Sequence, residues 1–124
     1  MARVLVIDDD EMQRTLIKRM LTSVGLKVDE AADGEEGLRI FTQNPPDLVL
    51  TDINMPGVDG HEVISAIRAH QGDVPIIAIS GGGPSAEKDE LLLRAANLGA
   101  REIIMKPFDF HQLQGAVVRA LSAG

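Results

Sequence analysis

Five polar residues stand where predicted strands end, and their types suit chemistry on phosphoryl groups and hard metal ions. Asp8 and Asp9 follow the first apolar run of the chain, and Asp52 ends the third. Ser80 follows the fourth run and Lys106 the fifth. In open α/β sheets, ligands bind outside the carboxyl ends of the strands. If these runs are neighbouring parallel strands, their polar residues meet at one edge of the sheet.

A cluster of carboxylates at one edge is costly without a cation. Two carboxylates about 4 Å apart repel by about 4 kcal/mol at an effective dielectric constant of about 20, or one of them stays protonated. Few carboxylates, completed by water and phosphate oxygens, suit Mg²⁺ better than Ca²⁺. Lys106 would add a second positive charge and Ser80 a hydrogen-bond donor for phosphoryl oxygens. The cluster therefore predicts a site that favours in-line phosphoryl transfer.

Each of these residues has a simpler interpretation when it is taken alone. A single acidic residue at a strand end is more often a helix N-cap or a solvated loop residue, and this is our interpretation of Asp10. Ser80 alone would more often cap a turn, and Lys106 alone would more often be a surface charge. Independent capping residues, however, need not fall at the ends of several adjacent strands. We therefore interpret Asp8, Asp9, Asp52 and Lys106 together as a functional site.

Length and composition narrow the class of protein. A chain of 124 residues is the size of one domain. It has no cysteine, which excludes disulfides and zinc–thiolate sites and fits the reducing cytoplasm, where we expect the protein. The net charge is −7 and there is no Trp or Tyr, so we expect no direct binding to nucleic acid. No apolar run approaches the roughly 20 residues of a membrane span, and we expect no membrane association.

Short apolar runs alternate with amphipathic stretches along the chain. The predicted strands are Arg3–Ile7, Lys27–Ala31, 48–51, 74–79 and Glu102–Met105. A first helix contains Leu16, Ile17, Met20, Leu21 and Val24 at helical spacing and is capped by Gly25; four more are predicted at 35–43, 60–70, 86–98 and 110–121. This (βα)₅ alternation predicts a doubly wound, flavodoxin-like three-layer sandwich with a parallel sheet of order 2-1-3-4-5. Residues 1–124 form one domain in this prediction.

Seven segments match, in order and spacing, the pattern of a known family. They are 4–9 (VLVIDD), 32–38 (ADGEEGL), 46–52 (PDLVLTD), 54–60 (NMPGVDG), 80–81 (SG), 98–100 (LGA) and 106–108 (KPF). Over essentially its full length the chain resembles the CheY-like receiver domain of two-component response regulators. The resemblance implies that Asp52 accepts a phosphoryl group from the phosphohistidine of a sensor histidine kinase or a phosphotransfer protein. It also implies a domain that catalyses only its own phosphorylation and dephosphorylation.

The resemblance also implies a role for each matching side chain around Asp52. Mg²⁺, for which Mn²⁺ can substitute, would be bound by Asp9, Asp52 and the backbone carbonyl of Asn54, and by Asp8 through a water molecule. Lys106 would contact the acceptor carboxylate and then the phosphoryl oxygens. Ser80 would move to hydrogen-bond the phosphoryl group. The peptide bond between Lys106 and Pro107 would be cis.

Output from such a domain would pass through a face formed by the predicted fourth helix (86–98), the fifth strand and the fifth helix (110–121). That face would bind an effector domain or protein, or a second copy of the chain. Leucines at 91–93 are consistent with it, because three consecutive residues of a helix cannot all point inward.

The chain departs from the family pattern at two positions. Ile103 stands three positions before Lys106, where the family often has an aromatic switch residue. We therefore hypothesise that the signal travels through shifts of the loop after the fourth strand. Gly82, two positions after Ser80, has no side chain to position a hydrolytic water. Two interpretations of Gly82 stay open, a flexible loop or a tuned phosphoryl lifetime.

Two other classes compete with a phosphorylated receiver. Asp8 and Asp10 match the opening motif of haloacid-dehalogenase-type phosphohydrolases, in which Asp8 would be the nucleophile, but this leaves Asp52 unexplained. A receiver that acts only as an interaction module, without phosphorylation, is the other alternative. The three histidines lack ligand spacing, and we expect all of them at the surface: His61, His70 and His111.

Overall fold

The computed structural model describes residues 2–53, 60–70, 72–80, 93, 96 and 99–122. Its strands are β1 (Arg3–Ile7), β2 (Lys27–Ala31), β3 (Leu48–Asp52), β4 (Ile76–Ser80) and β5 (Glu102–Met105). Its helices are α1 (Glu11–Ser23), α2 (Gly34–Gln43), α3 (Gly60–His70) and α4 (Phe110–Ser122), so that α4 is the fifth helix of the predicted pattern. The predicted helix at 86–98 lies outside the described residues, except for Leu93 and Ala96, which are helical.

The strands form one parallel sheet in the order β2-β1-β3-β4-β5, which confirms the predicted topology. Alternate side chains of the central strands enter two separate cores. One core lies under α2 and α3 and contains Leu5, Ile7, Val49, Ile76, Ala78, Phe41, Val63, Ile64 and Ile67. The other lies under α1 and α4 and contains Val4, Val6, Leu48, Leu50, Ile77, Ile79, Ile17, Leu21, Leu113 and Val117. Burial on both faces explains why these strands read as continuous apolar runs.

The start of β4 differs from the predicted strand at 74–79. Val74 is buried, but its carbonyl accepts a hydrogen bond from Arg68 Nη1 at 2.5 Å instead of joining the ladder. Pro75 has no N–H to donate to a neighbouring strand. Regular pairing therefore begins only at Ile76.

Helix α1 begins and ends at the residues that its sequence favours. Asp10 is the N-cap, and its carboxylate accepts hydrogen bonds from the backbone of Met12 and Gln13. Gly25 has a φ of +89°, and at the end of the helix the backbone N–H of Gly25 bonds the Thr22 carbonyl and that of Leu26 the Leu21 carbonyl. This is the Schellman arrangement, so the predicted cap is confirmed.

The buried stripe of α1 is narrower than the sequence spacing indicates. Ile17 and Leu21, four positions apart, are buried. Leu16 is 48% exposed and Val24, which follows the helix, is 41% exposed.

Across the described residues, no helix has the length and apolar character needed to cross a membrane.

Candidate functional site

The candidate residues lie at the carboxyl edge of four neighbouring strands. Asp8 and Asp9 directly follow β1, and Asp52 is the last residue of β3. Ser80 is the last residue of β4, where it is fully buried, and Lys106 directly follows β5. Parallel pairing aligns these ends, because Asp52 pairs with Ile79 and Ser80 with Met105. The sheet order thus brings distant segments of the chain to one place.

Three carboxylates form a compact cluster at this edge. One oxygen from each of Asp8, Asp9 and Asp52 can be chosen so that all three lie within 4.8 Å of one another. Asp8 is fully buried and Asp52 is 3% exposed, whereas Asp9 is exposed. The cluster therefore has two shielded carboxylates and one that faces solvent.

Lys106 binds this cluster through Asp52. Its Nζ donates a hydrogen bond to Asp52 Oδ2 at 2.8 Å, and this is also a close ion pair. Burial alone would lower the pKa of Lys106, but the hydrogen bond and charge of Asp52, together with the charges of Asp8 and Asp10, raise it above its usual value. The ammonium group is therefore held in its charged form.

Asp8 differs from an ordinary exposed carboxylate in its pKa and in its hydrogen bonding. Burial raises its pKa to about 6, although the hydrogen bond from the Asp10 backbone works in the opposite direction. The charge of Asp52 raises this pKa further, Lys106 lowers it, and Asp9 raises it. Asp8 Oδ2 is buried and, within the described part of the chain, has no hydrogen-bond partner. A buried carboxylate oxygen without a donor is an unusual and costly arrangement.

The donor set fits a hard divalent cation. The cluster offers oxygen ligands from Asp8, Asp9 and Asp52, and a cation beside it would satisfy the orphaned Asp8 Oδ2. Because the carboxylates are few and one is exposed, solvent or phosphate oxygens could complete the coordination, as Mg²⁺ prefers. The cluster could therefore hold a metal ion.

The structure describes some of the remaining predicted residues and leaves others outside its described range. Asn54, the loop that follows it and the glycines at 81–83 lie outside the described residues. The Lys106–Pro107 peptide bond is cis, as the resemblance implies. Ile103 pairs with Ala78 and packs, partly buried, on the core under α2 and α3. Leu93 is 63% exposed, which agrees with the expectation for the leucines at 91–93.

The prediction that all three histidines lie at the surface is wrong for His61. His70 and His111 are exposed, but His61 is 2% exposed. His61 precedes the buried Ile64 by three positions, so both residues lie on the inward face of α3. That spacing was the signal available in the sequence.

Arg14 contacts the site, although the sequence analysis did not predict it as a site residue. Its Nη1 donates a hydrogen bond to the backbone carbonyl of Asp8 at 2.7 Å. Arg14 lies one helical turn after the N-cap Asp10, and side chains in the first turns of a helix lean towards its N-terminus. The spacing from the cap therefore indicated a basic residue next to the site.

Comparison with known proteins identifies the family. The sequence model of the response regulator receiver domain matches residues 4–118. The chain belongs to the response regulator receiver domain family. This receiver domain is 35% identical to a probable chemotaxis protein CheY of Rhizobium etli, over 98% of this chain and 93% of that protein. It is 37% identical to the transcriptional regulatory protein PrrA of Mycobacterium tuberculosis, over 93% of this chain but only 48% of that protein.

Solved structures agree with this assignment. A receiver domain protein from Clostridium thermocellum superposes with a TM-score of 0.89 at 34% identity, over 99% of this chain and 96% of that one. The receiver domain of NtrX from Brucella abortus superposes with a TM-score of 0.90 at 30% identity, over 98% of this chain and 99% of that one. The receiver domain described here is therefore part of two-component signalling and not a metabolic enzyme. Family membership also decides against the phosphohydrolase class.

Proposed function

We propose that the whole chain, 1–124, is one receiver domain that accepts a phosphoryl group on Asp52 in a Mg²⁺-dependent reaction. The donor is the phosphohistidine of a sensor histidine kinase or of a phosphotransfer protein. The domain catalyses this transfer to itself and the later hydrolysis, and no other reaction. The observation that carries the proposal is the 2.8 Å contact between Lys106 and an Asp52 carboxylate that also belongs to the acidic cluster.

The position of Asp52 supports its role as acceptor. It is 3% exposed, its Oδ2 lies 2.8 Å from Lys106 Nζ, and one of its oxygens lies within 4.8 Å of oxygens of Asp8 and Asp9. One Asp52 oxygen would attack the phosphorus atom, so that a P–O bond forms while the P–N bond to histidine breaks and its electron pair leaves with the imidazole. Once this Asp52 oxygen is bonded to phosphorus, Lys106 Nζ would lie close to the phosphoryl oxygens. Its positive charge would stabilise their negative charge.

The other residues of the site support the same reaction. Mg²⁺, or Mn²⁺ in its place, would neutralise negative charge on the phosphoryl oxygens. Asp9 and Asp52, with the carbonyl of Asn54, would bind the metal directly, and Asp8 would act mainly through a bound water molecule. Ser80, at the end of the neighbouring strand, would donate a hydrogen bond to the phosphoryl group. Gly82 leaves the hydrolytic water without a side-chain partner at that position, which would influence the phosphoryl lifetime.

The relatives support two kinds of output. The chain spans nearly all of a chemotaxis protein but about half of the transcriptional regulators it matches. The output would pass through the predicted helix at 86–98, β5 and α4, with an effector domain, an effector protein or a second copy as the partner. Met105 on β5, 36% exposed, offers an apolar contact on this face. Since Ile103 is not aromatic, loop shifts after β4 would carry the signal.

Phosphorylation of the intact protein by a small phosphodonor tests this proposal. We expect incubation with acetyl phosphate and Mg²⁺ to add one phosphoryl group, which reductive trapping and mass spectrometry map to Asp52. EDTA and the Asp52→Asn variant should abolish the modification. Asp10→Asn is the matched control, because Asn also caps helices well and Asp10 is the N-cap of α1.

Modification at Asp8 instead of Asp52 would contradict the proposal. A complete absence of modification, in a protein that still binds its partner, would favour a receiver that works only as an interaction module.

A further inference from the structure

Arg14 connects three elements of the fold at the acidic cluster. From α1, its Nη1 reaches the Asp8 carbonyl after β1 at 2.7 Å. Its Nε lies 3.3 Å from Glu30 Oε1 on β2. The side chain of Arg14 is only 15% exposed, whereas that of Glu30 is 31% exposed. A guanidinium group can make both contacts because its donors form a rigid planar fork.

Glu30 holds the other end of this connection. Its two oxygens bind different partners, Arg14 at 3.3 Å and Lys18 Nζ at 3.1 Å. The Lys18 side chain is 46% exposed, so its pair with Glu30 is a surface pair of small value. Lys18 and Arg14 therefore share one acidic partner, but of the two only Arg14 also contacts the acidic cluster, through the Asp8 carbonyl.

The carbonyl that Arg14 binds belongs to the peptide unit between Asp8 and Asp9. Both carboxylates belong to the cluster with Asp52. On either side of that peptide unit, the Asp8 N–H donates to the Ala31 carbonyl at 3.1 Å and the Asp10 N–H donates to Asp8 Oδ1 at 2.9 Å. The Arg14 side chain binds the carbonyl of the peptide unit itself. Rotation of this peptide unit would swing the two carboxylates relative to each other.

We propose that Arg14, held in place by Glu30, is a positioning residue for the metal site. It fixes the Asp8–Asp9 peptide unit and thereby sets the separation of two carboxylates that would bind or orient the cation. Groups that orient metal ligands in this way commonly change metal affinity about tenfold or more when they are removed. This inference rests on the proposed Mg²⁺-dependent function.

The sign of the effect separates positioning from simple charge. Arg14 is a cation near a site for another cation, so by Coulomb's law its removal should tighten Mg²⁺ binding. If it positions the carboxylates, its removal should weaken Mg²⁺ binding instead. A residue that only stabilises the fold would lower the unfolding temperature and leave Mg²⁺ affinity unchanged.

The test compares Arg14→Met with Lys18→Met, which removes the other cation from Glu30. Mg²⁺ binding is measured by calorimetry without phosphodonor, because the chain has no Trp or Tyr to report it. We expect the dissociation constant for Mg²⁺ to rise about tenfold in Arg14→Met and to stay within twofold in Lys18→Met. The metal-free ¹⁵N resonance of Asp9 should move in Arg14→Met and not in Lys18→Met, because its amide shares the peptide unit with the Asp8 carbonyl.

Arg14→Lys decides the matter if Arg14→Met does not fold. Lysine keeps the positive charge but lacks the planar fork of donors. If Arg14 positions the carboxylates, the dissociation constant for Mg²⁺ should rise in Arg14→Lys. If only its charge matters, the dissociation constant should stay unchanged. Unchanged or tighter Mg²⁺ binding in the folded variants overturns the role of Arg14 and leaves the proposed function intact. A wild-type protein that binds no Mg²⁺ contradicts the proposed function instead, whatever the Asp9 resonance does.

Discussion

Lys106 Nζ and Asp52 Oδ2 lie 2.8 Å apart although the two residues are separated by 54 positions of the chain. The contact exists because β3 and β5 flank β4 in one parallel sheet and end at the same edge. It pairs a nearly buried carboxylate with an ammonium group whose pKa is raised. The pair holds the Asp52 carboxylate in a fixed position within the acidic cluster.

Removing the ammonium group should separate metal binding from phosphoryl uptake. In Lys106→Met, the rate of Asp52 phosphorylation by acetyl phosphate should fall by about two orders of magnitude, because one preorganised donor to the phosphoryl oxygens is lost. Mg²⁺ affinity should hold or increase, because a competing cation has gone. Phosphorylation kinetics and calorimetry measure the two effects. Phosphorylation at the wild-type rate would remove Lys106 from the mechanism.

The raised pKa of Asp8 predicts a pH dependence of stability in the metal-free protein. With a pKa of about 6 in the folded state and 3.8 as the reference, the folded protein binds more protons than the unfolded chain between these values. Raising the pH from 4 to 7 in EDTA should therefore lower the free energy of unfolding by about 2 kcal/mol relative to Asp8→Asn.

Urea unfolding followed by circular dichroism measures this difference. Saturating Mg²⁺ should reduce it, since the cation favours the ionised form. If the free energy of unfolding changed equally with pH in the wild type and in Asp8→Asn in EDTA, the raised pKa of Asp8 would be contradicted.

The contact of α2 with the end of β1 depends on the absence of a side chain at Gly37. A Cβ there would lie 2.8 Å from Ile7 Cγ1 and closer still to Ile7 Cδ1. Gly37→Ala should therefore destabilise the protein by about 1–3 kcal/mol through overpacking. At Gly72 the nearest atom to an added Cβ is 3.8 Å away, so Gly72→Ala is the matched control.

A double-mutant cycle identifies the atom responsible. Ile7→Val removes Cδ1, and we expect Gly37→Ala to cost less in that background than in the wild type. Costs that simply add would place the strain of Gly37→Ala elsewhere.

Arg68 should matter for stability and not for the site. Its Nη1 and Nη2 donate hydrogen bonds to the carbonyls of Val74 and Gly99, at 2.5 and 2.7 Å, near the amino ends of β4 and β5. Arg68→Met should lower the free energy of unfolding by about 2 kcal/mol, because two carbonyls lose a charged donor. Arg39→Met, at a 61% exposed side chain, should cost less than about 0.5 kcal/mol.

Denaturant unfolding of both variants gives these costs, and Asp52 phosphorylation at 25 °C gives the second readout. Arg68 lies at the edge of the sheet opposite Asp52, so the phosphorylation rate should remain that of the wild type. A loss of phosphorylation in folded Arg68→Met would reveal coupling between the two edges.

Much of this protein follows from local patterns in its sequence. Apolar runs between amphipathic stretches predict the strands, and their number predicts the sheet order that is observed. The cap residues Asp10 and Gly25 act within a few positions of themselves, so their roles also follow from sequence. The grouping of Asp8, Asp9 and Asp52 follows once parallel strands are aligned at one edge.

Contacts across elements were decided only by the tertiary structure. The burial of His61, the bond from Arg14 to the Asp8 carbonyl and the close approach of Gly37 to Ile7 depend on how helices rotate and lean on the sheet. The hydrogen bond from Arg68 to the Val74 carbonyl, just before β4, joins residues of different elements in the same way. Hydrophobic periodicity specifies which face of an element turns inward, but the partner of a polar side chain is set by the packing of segments far apart in the chain.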